Sequence, residues 1–207
     1  MKNYPKYTII MRGYTLEQSE AIIEAMEGLE DKFAVEMTMN TPNCVEYIKK
    51  LSEKYGKKRI IGAGTVRTLK DAQETIAAGA KFLLGPHQFS QEIFDYANQF
   101  NVMTIPSAMT PTEINQMFDN GADIVKIFPA AVVTPRFFKD VQAPLGKLPL
   151  MAVGGISIRN AKQFLDNGAS YLGMGSGLFN KIDIENCDVK QLSNSLHTFL
   201  NTVEEME

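Results

Sequence analysis

Cysteine, histidine and tryptophan are scarce in this chain of 207 residues, which has two cysteines, two histidines and no tryptophan. Cys44 and Cys187 lie far apart and unclustered, which excludes a disulfide framework and a cysteine zinc site. His87 and His197 are equally separated, so a histidine-rich metal site is not expected. No apolar run approaches the ~20 residues of a membrane-spanning helix. The opening Met1-Lys2-Asn3-Tyr4-Pro5 lacks the apolar stretch of a secretory leader. These absences lead to the expectation of a soluble, cytoplasmic protein. The net charge of −3 is too balanced for general nucleic-acid binding, although it leaves room for a local basic pocket. No Pro/Gly/Ser-rich linker or charge block divides the chain. A single domain over residues 1–207 is expected, large enough to bury a core without disulfides or structural metal.

What is present is an alternation. With 44% hydrophobic and 22% charged residues, the composition is that of a globular domain. Short β-rich runs recur at Tyr7–Met11, Phe33–Met39, Arg59–Thr65, Lys81–Leu84, Val102–Ile105, Ile124–Phe128, Leu148–Val153 and Tyr171–Gly173. Between them lie amphipathic helical patterns, each opening near a capping residue. Thr15 precedes Leu16–Leu29, Thr41-Pro42 opens Asn43–Tyr55, and Thr68 opens Leu69–Ala78. Ser90 opens Gln91–Phe100, Thr110-Pro111 opens Thr112–Asn120, and Thr134-Pro135 opens Arg136–Val141. Ser157 opens Ile158–Asn167, and a last helix spans Val189–Val203. Parallel neighbours need a crossover, so eight alternating units imply parallel strands covered by helices. An open doubly wound sheet and a closed barrel both satisfy this, and eight units favour an α/β fold of the (β/α)₈ TIM-barrel type. A weak repeat fits: Gly79-Ala80, Gly121-Ala122 and Gly168-Ala169 each close a helix just before a strand, where glycine supplies a left-handed turn.

In such a barrel, chemistry concentrates at the C-terminal ends of strands. Lys126 stands out, inside Val125-Lys126-Ile127-Phe128. Desolvation there lowers a lysine's pKa and frees a nucleophilic amine, making it a Schiff-base candidate. A lysine reaching out from a strand end, or paired with a buried acid, fits equally well at this point. Glu36 shares one strand face with Ala34 and Thr38. An acid there is either a proton-transfer group with a raised pKa or a structural partner for Arg12 or Lys126. Arg12, at the end of the first strand, is a surface arginine or a bidentate carboxylate holder. Thr65 ends Gly62-Ala63-Gly64-Thr65. Its hydroxyl is a candidate for a substrate oxygen, whereas glycines here can also simply relieve crowding. The run lacks a dinucleotide fingerprint. Val153-Gly154-Gly155 and Gly175-Ser176-Gly177 follow the seventh and eighth strands, where barrels commonly bind phosphate. His87 reads as a loop residue or a proton relay.

Taken together, Met11-Arg12-Gly13, Val35-Glu36-Met37-Thr38, Gly62-Ala63-Gly64-Thr65-Val66, Gly85-Pro86, Ile105-Pro106, Val125-Lys126-Ile127-Phe128-Pro129, Val153-Gly154-Gly155 and Gly175-Ser176 resemble the 2-keto-3-deoxy-6-phosphogluconate aldolase family. These are class I lysine aldolases on a trimeric (β/α)₈ barrel. The resemblance implies Lys126 as the Schiff-base lysine and Glu36 as the acid/base acting through water. Arg12 and Thr65 would hold the pyruvyl carboxylate, Pro86 and Phe128 would shape the pyruvyl pocket, and Gly154, Gly155, Gly175 and Ser176 would take the phosphate. It further implies a homotrimer that uses no metal or organic cofactor, with pyruvate and a phosphorylated keto sugar acid as partners. Many members carry arginine where this chain has Asn40. Asn40-Thr41-Pro42 and Val153 look more like the galactonate branch, since gluconate-preferring members tend to carry threonine at the latter position. The implied reaction is reversible cleavage to pyruvate and glyceraldehyde 3-phosphate. The alternatives are a 4-hydroxy-2-oxoglutarate aldolase, a phosphosugar isomerase or epimerase, and a non-catalytic sugar-phosphate-binding barrel.

Overall fold

The computed structural model describes residues 4–175 and 177–204. Its strands are β1 (Tyr7–Met11), β2 (Phe33–Thr38), β3 (Ile61–Gly64), β4 (Phe82–Leu84), β5 (Met103–Ile105), β6 (Ser107–Ala108), β7 (Val125–Ile127), β8 (Leu150–Val153) and β9 (Tyr171–Met174). All pair in parallel, in the order β5-β4-β3-β2-β1-β9-β8-β7-β6. The two ends of this list are one stretch of chain broken at Pro106. On one side, Gly85 donates to the Ile105 carbonyl and Ser107 to the His87 carbonyl, both at 3.0 Å; on the other, the Lys126 amide donates to the Pro106 carbonyl at 2.8 Å. Pro106 has no amide hydrogen of its own to give, yet its carbonyl carries the closing contact. The barrel therefore closes with the eight strand positions read from the sequence, the fifth split in two.

The helices are α1 (Leu16–Ala25), α2 (Cys44–Tyr55), α3 (Leu69–Ala77), α4 (Gln91–Gln99), α5 (Pro111–Asp119), α6 (Ala130–Val133), α7 (Arg136–Leu145), α8 (Ala161–Asp166), α9 (Lys181–Glu185) and α10 (Val189–Glu204). None described is long and apolar enough to cross a membrane. Capping boxes start α1, α3 and α5, with Thr15, Thr68 and Thr110 as N-caps. The three glycines of the repeat all have positive φ, +102°, +103° and +97°. In each copy the following alanine amide reaches back five residues, Ala80 to Thr75, Ala122 to Met117 and Ala169 to Phe164, all at 3.0 Å. This is the Schellman closure that glycine permits.

Four local expectations are corrected. Thr41 does not cap α2; its hydroxyl accepts from the Gly13 amide at 2.9 Å and meets Thr38 Oγ1 at 3.0 Å, tying the β2 exit to the β1 exit. Thr134 closes the extra short helix α6, with φ +67°, rather than opening α7. The helix after β8 begins at Ala161 because Asn160 Oδ1 first takes the Ser157 amide at 2.8 Å. The short helix α9 also has no counterpart in the sequence reading.

Two apolar layers follow from the period-two alternation. Tyr7, Ile9 and Met11 join Phe33, Val35 and Met37 in the layer between strands and helices, with Leu196 and Phe199 of α10. The opposite parity fills the barrel: Ile10, Ala34, Phe82, Leu84, Met103, Ile105, Ile124, Met151 and Val153. Tyr4 plugs the N-terminal end, edge-on to Phe82 at 5.1 Å, with its hydroxyl 2.7 Å from Thr8 Oγ1. Polar side chains in the upper layer, Glu36 and Lys126 among them, face an opening at the other end.

Candidate active site

That opening is a cavity of about 500 Å³ at the C-terminal ends of the strands. Arg12, Glu36, Thr65, Pro86, Lys126, Phe128, Gly154, Gly155 and Gly175 all line it, gathered from seven strand exits. Ser176 lies outside the described residues. Ile10, Tyr14, Val153, Ile156, Ser157, Gly173 and Gly177 complete the wall. Ile10 and Gly173 could have been found by counting two residues back from Arg12 and Gly175 along one strand face. Tyr14 and Ser157 sit in loops and carry no such signal. His87 lies instead in an adjoining open groove with Gln88, Met109 and Glu113.

Glu36 and Lys126 are the two ionisable groups sunk deepest here, 2% and 4% exposed. Burial raises Glu36 to about 7, against the opposing pull of the Lys126 and Arg12 charges. Burial lowers Lys126 to about 8, with Glu36 opposing and Arg12 reinforcing the shift. Both groups are thus moved toward neutrality, the direction in which a carboxyl holds a proton and an amine becomes nucleophilic. Glu36 Oε2 has no hydrogen-bond partner among the described residues. Lys126 Nζ stands 4.9 Å from the centroid of the Phe128 ring, a cation–π contact whenever the amine is charged.

Two features fix the rim. Arg12 Nη1 donates to Asn40 Oδ1 at 3.2 Å, so the Asn40 amide orients the guanidinium. Thr65 adopts φ +59°, a left-handed conformation that a β-branched residue rarely enters and that costs on the order of 1–3 kcal/mol. Strain of that size is characteristic of ligand-facing positions. On the other side, Gly154 and Gly155 have φ +93° and +78°, and a Cβ at 155 would lie 2.5 Å from Ala131 Cβ. Glycine is required at 155 by backbone and neighbour alike.

A family model described as KDPG and KHG aldolase matches residues 2–195. The chain belongs to this family. It is therefore an aldolase, a carbon–carbon lyase. The 2-dehydro-3-deoxy-6-phosphogalactonate aldolase of Escherichia coli (strain K12) is 31% identical to it over 173 residues, 82% of either chain. The probable 2-dehydro-3-deoxy-6-phosphogalactonate aldolase of Rhizobium meliloti (strain 1021) is 30% identical over 184 residues, 88% of this chain and 85% of the other. Among solved structures, one described as native KDPGal matches the aldolase with a TM-score of 0.83 at 26% identity, over 96% of both chains.

Proposed function

We propose that this aldolase cleaves a 2-keto-3-deoxy-6-phospho-sugar acid to pyruvate and glyceraldehyde 3-phosphate through a Schiff base on Lys126. The observation that carries the proposal is the buried pair in one cavity, an amine lowered and a carboxyl raised toward neutral pH. The neutral Lys126 amine attacks the C2 ketone, and loss of water leaves an iminium. Glu36, through a water, takes the C4 hydroxyl proton. The C3–C4 electrons flow to the iminium nitrogen and the phosphorylated aldehyde departs. Protonation of the enamine at C3 and hydrolysis release pyruvate and restore the amine. Arg12 and Thr65 hold the carboxylate, Pro86 and Phe128 pack the pyruvyl group, and Gly154, Gly155, Gly175 and Ser176 receive the phosphate. The reading includes one catalytic domain over residues 1–207, in the cytoplasm, assembled as a homotrimer. The trimer rests on the resemblance to trimeric family members. The test is borohydride reduction in the presence of pyruvate followed by peptide mapping. An adduct on the peptide containing Lys126 is expected. An adduct on another lysine, or none with active protein, would overturn the scheme.

The phosphate assignment is best tested at Gly175. Among the described residues other than its chain neighbours, a Cβ there finds nothing nearer than Ile10 at 3.9 Å, and its φ is not left-handed, so Gly175→Ala should fold normally. Its methyl narrows the space for the anion, and KM for a phosphorylated substrate is expected to rise several-fold while cleavage of an unphosphorylated keto acid is unchanged. Equal loss on both would move the phosphate elsewhere.

Val153 supports a lean toward the galactonate-derived epimer, in keeping with the names of the two relatives above. It is buried in the cavity wall, and its Cγ2 would lie 2.8 Å from a Cβ on Gly173. A valine cannot hydrogen-bond a C4 hydroxyl. Threonine of nearly the same volume can, at a gain of about 0.5–1.5 kcal/mol. Val153→Thr should therefore shift the ratio of catalytic efficiencies a few-fold toward the gluconate epimer. A ratio unchanged between wild type and variant would remove Val153 from the choice.

A further inference from the structure

The inward face of β3 carries glycine twice, at 62 and 64, and different neighbours fill the two vacated spaces. A Cβ on Gly62 would run into the Phe82 ring, a core side chain. A Cβ on Gly64 would meet the carboxylate of Glu36, whose Cδ, Oε1 and Oε2 are its three nearest heavy atoms, each at 2.5 Å. Gly64 has no left-handed φ, so its backbone would accept an L side chain. In register, Glu36 is opposite Gly62 and Thr38 is opposite Gly64. The Glu36 side chain therefore leans up its own strand and across to β3, bringing its carboxylate to the level of Gly64 and the cavity mouth.

We infer that Gly64 is a positioning residue: the side chain it lacks leaves the space in which the Glu36 carboxylate stands, and this aims the proton-transfer group into the cavity. The inference rests on the proposed role of Glu36. Ordinary van der Waals contact begins near 3.4 Å, so a methyl at 64 displaces the carboxylate by about 1 Å, a misplacement on the scale that costs about 10²-fold in rate. The atoms in the way are the free end of a side chain, so the carboxylate yields rather than the strand. The fold survives and the aim is lost. A glycine kept for backbone conformation or for general packing would not make this distinction.

The experiment compares Gly64→Ala, Glu36→Asp, the double variant and Glu36→Gln, using kcat, KM, the pH–rate profile and thermal midpoint. Gly64→Ala is expected to fold, to lose about 10- to 10²-fold in kcat with KM within about threefold, and to move the acid limb of the profile. Glu36→Asp shortens the acid by one methylene and clears the methyl, so the double variant should exceed Gly64→Ala alone by about fivefold or more. That is the non-additivity expected of residues in contact. An unchanged kcat and pH profile in Gly64→Ala, or an aspartate penalty equal in both backgrounds, overturns the inference while an inactive Glu36→Gln leaves the role of Glu36 standing. A fully active Glu36→Gln removes that role and the inference with it. Should Gly64→Ala fail to fold, the double variant is expected to fold; if it too fails, strand packing rather than the carboxylate dictates the glycine, and the inference falls.

Discussion

Lys126→Ala is expected to abolish cleavage and borohydride trapping together while leaving the barrel folded. The Schiff base has no second amine among the described residues that line the cavity, where the other basic side chain is the guanidinium of Arg12, a poor nucleophile toward a ketone. Activity should fall to the background of the assay. Stability should hold or rise, since the burial of the amine outweighs the opposing pull of Glu36 and is a net cost to folding. The sign follows from linkage. The folded-state pKa of Lys126 is lowered to about 8, so the folded state binds fewer protons than the unfolded chain between there and the ordinary lysine value. The lysine therefore destabilises most below pH 8, and the penalty fades as pH rises through the ordinary lysine range. Lys126→Ala should gain thermal stability over wild type chiefly at neutral pH and below. Measured turnover near wild type would end the Schiff-base mechanism. Normal substrate affinity with no turnover in the wild type would instead indicate a sugar-phosphate-binding barrel, and turnover without any trapped lysine an isomerase or epimerase.

Glu36→Gln is the second large effect. The amide keeps the shape of the acid and loses proton transfer, so kcat should fall by about 10²–10⁴-fold. The pH dependence makes this specific. Burial raises Glu36 to about 7, so the base form grows in through neutral pH, followed by the neutral Lys126 amine near 8. In wild type kcat/KM should climb through both and level off above. In Glu36→Gln the lower limb should vanish, and the lysine limb should move down from about 8 because the Glu36 charge no longer opposes the effect of burial. Stability runs the other way. A carboxyl whose folded pKa is raised binds more protons folded than unfolded, so its contribution is lost as pH rises from the ordinary carboxylate value through about 7. Glu36→Gln is thus expected to be the more stable protein above pH 7, by roughly 1–3 kcal/mol, a stability–activity trade common at functional sites. A variant with unaltered turnover and an unaltered lower limb would return Glu36 to a structural part.

Much of the frame was legible because strands and helices announce themselves locally. Period-two alternation put Ala34, Glu36 and Thr38 on one side of their strand, and that side proved to be the barrel interior. An ionisable residue on such a face is costly, which is why Lys126 and Glu36 could be singled out before their surroundings were known. The Gly-Ala helix stops were equally local, and all three adopt one geometry. Where the reading slipped, a distant partner had captured the group. Thr41 has the look of an N-cap but is taken by Gly13 of another strand exit. In the Gly62-Ala63-Gly64 run the alternative of glycines relieving crowding fits, since the Phe82 ring and the Glu36 carboxylate fill the two spaces, but the sequence did not show which neighbours those would be.

By itself, then, the amino-acid order determined the alternation of elements, the parity of each strand face, and the presence of an amine and an acid where neither rests comfortably. All of these depend on residues within one turn or one strand of each other. Only the tertiary structure decided that the fifth strand breaks at Pro106 to close the ring, that Asn40 grips Arg12, that Tyr14 and Ser157 join the wall, and that Gly64 makes room for Glu36. Each of these depends on a distance across the barrel, and such distances are set by closure and packing of the whole sheet rather than by the local pattern of any segment.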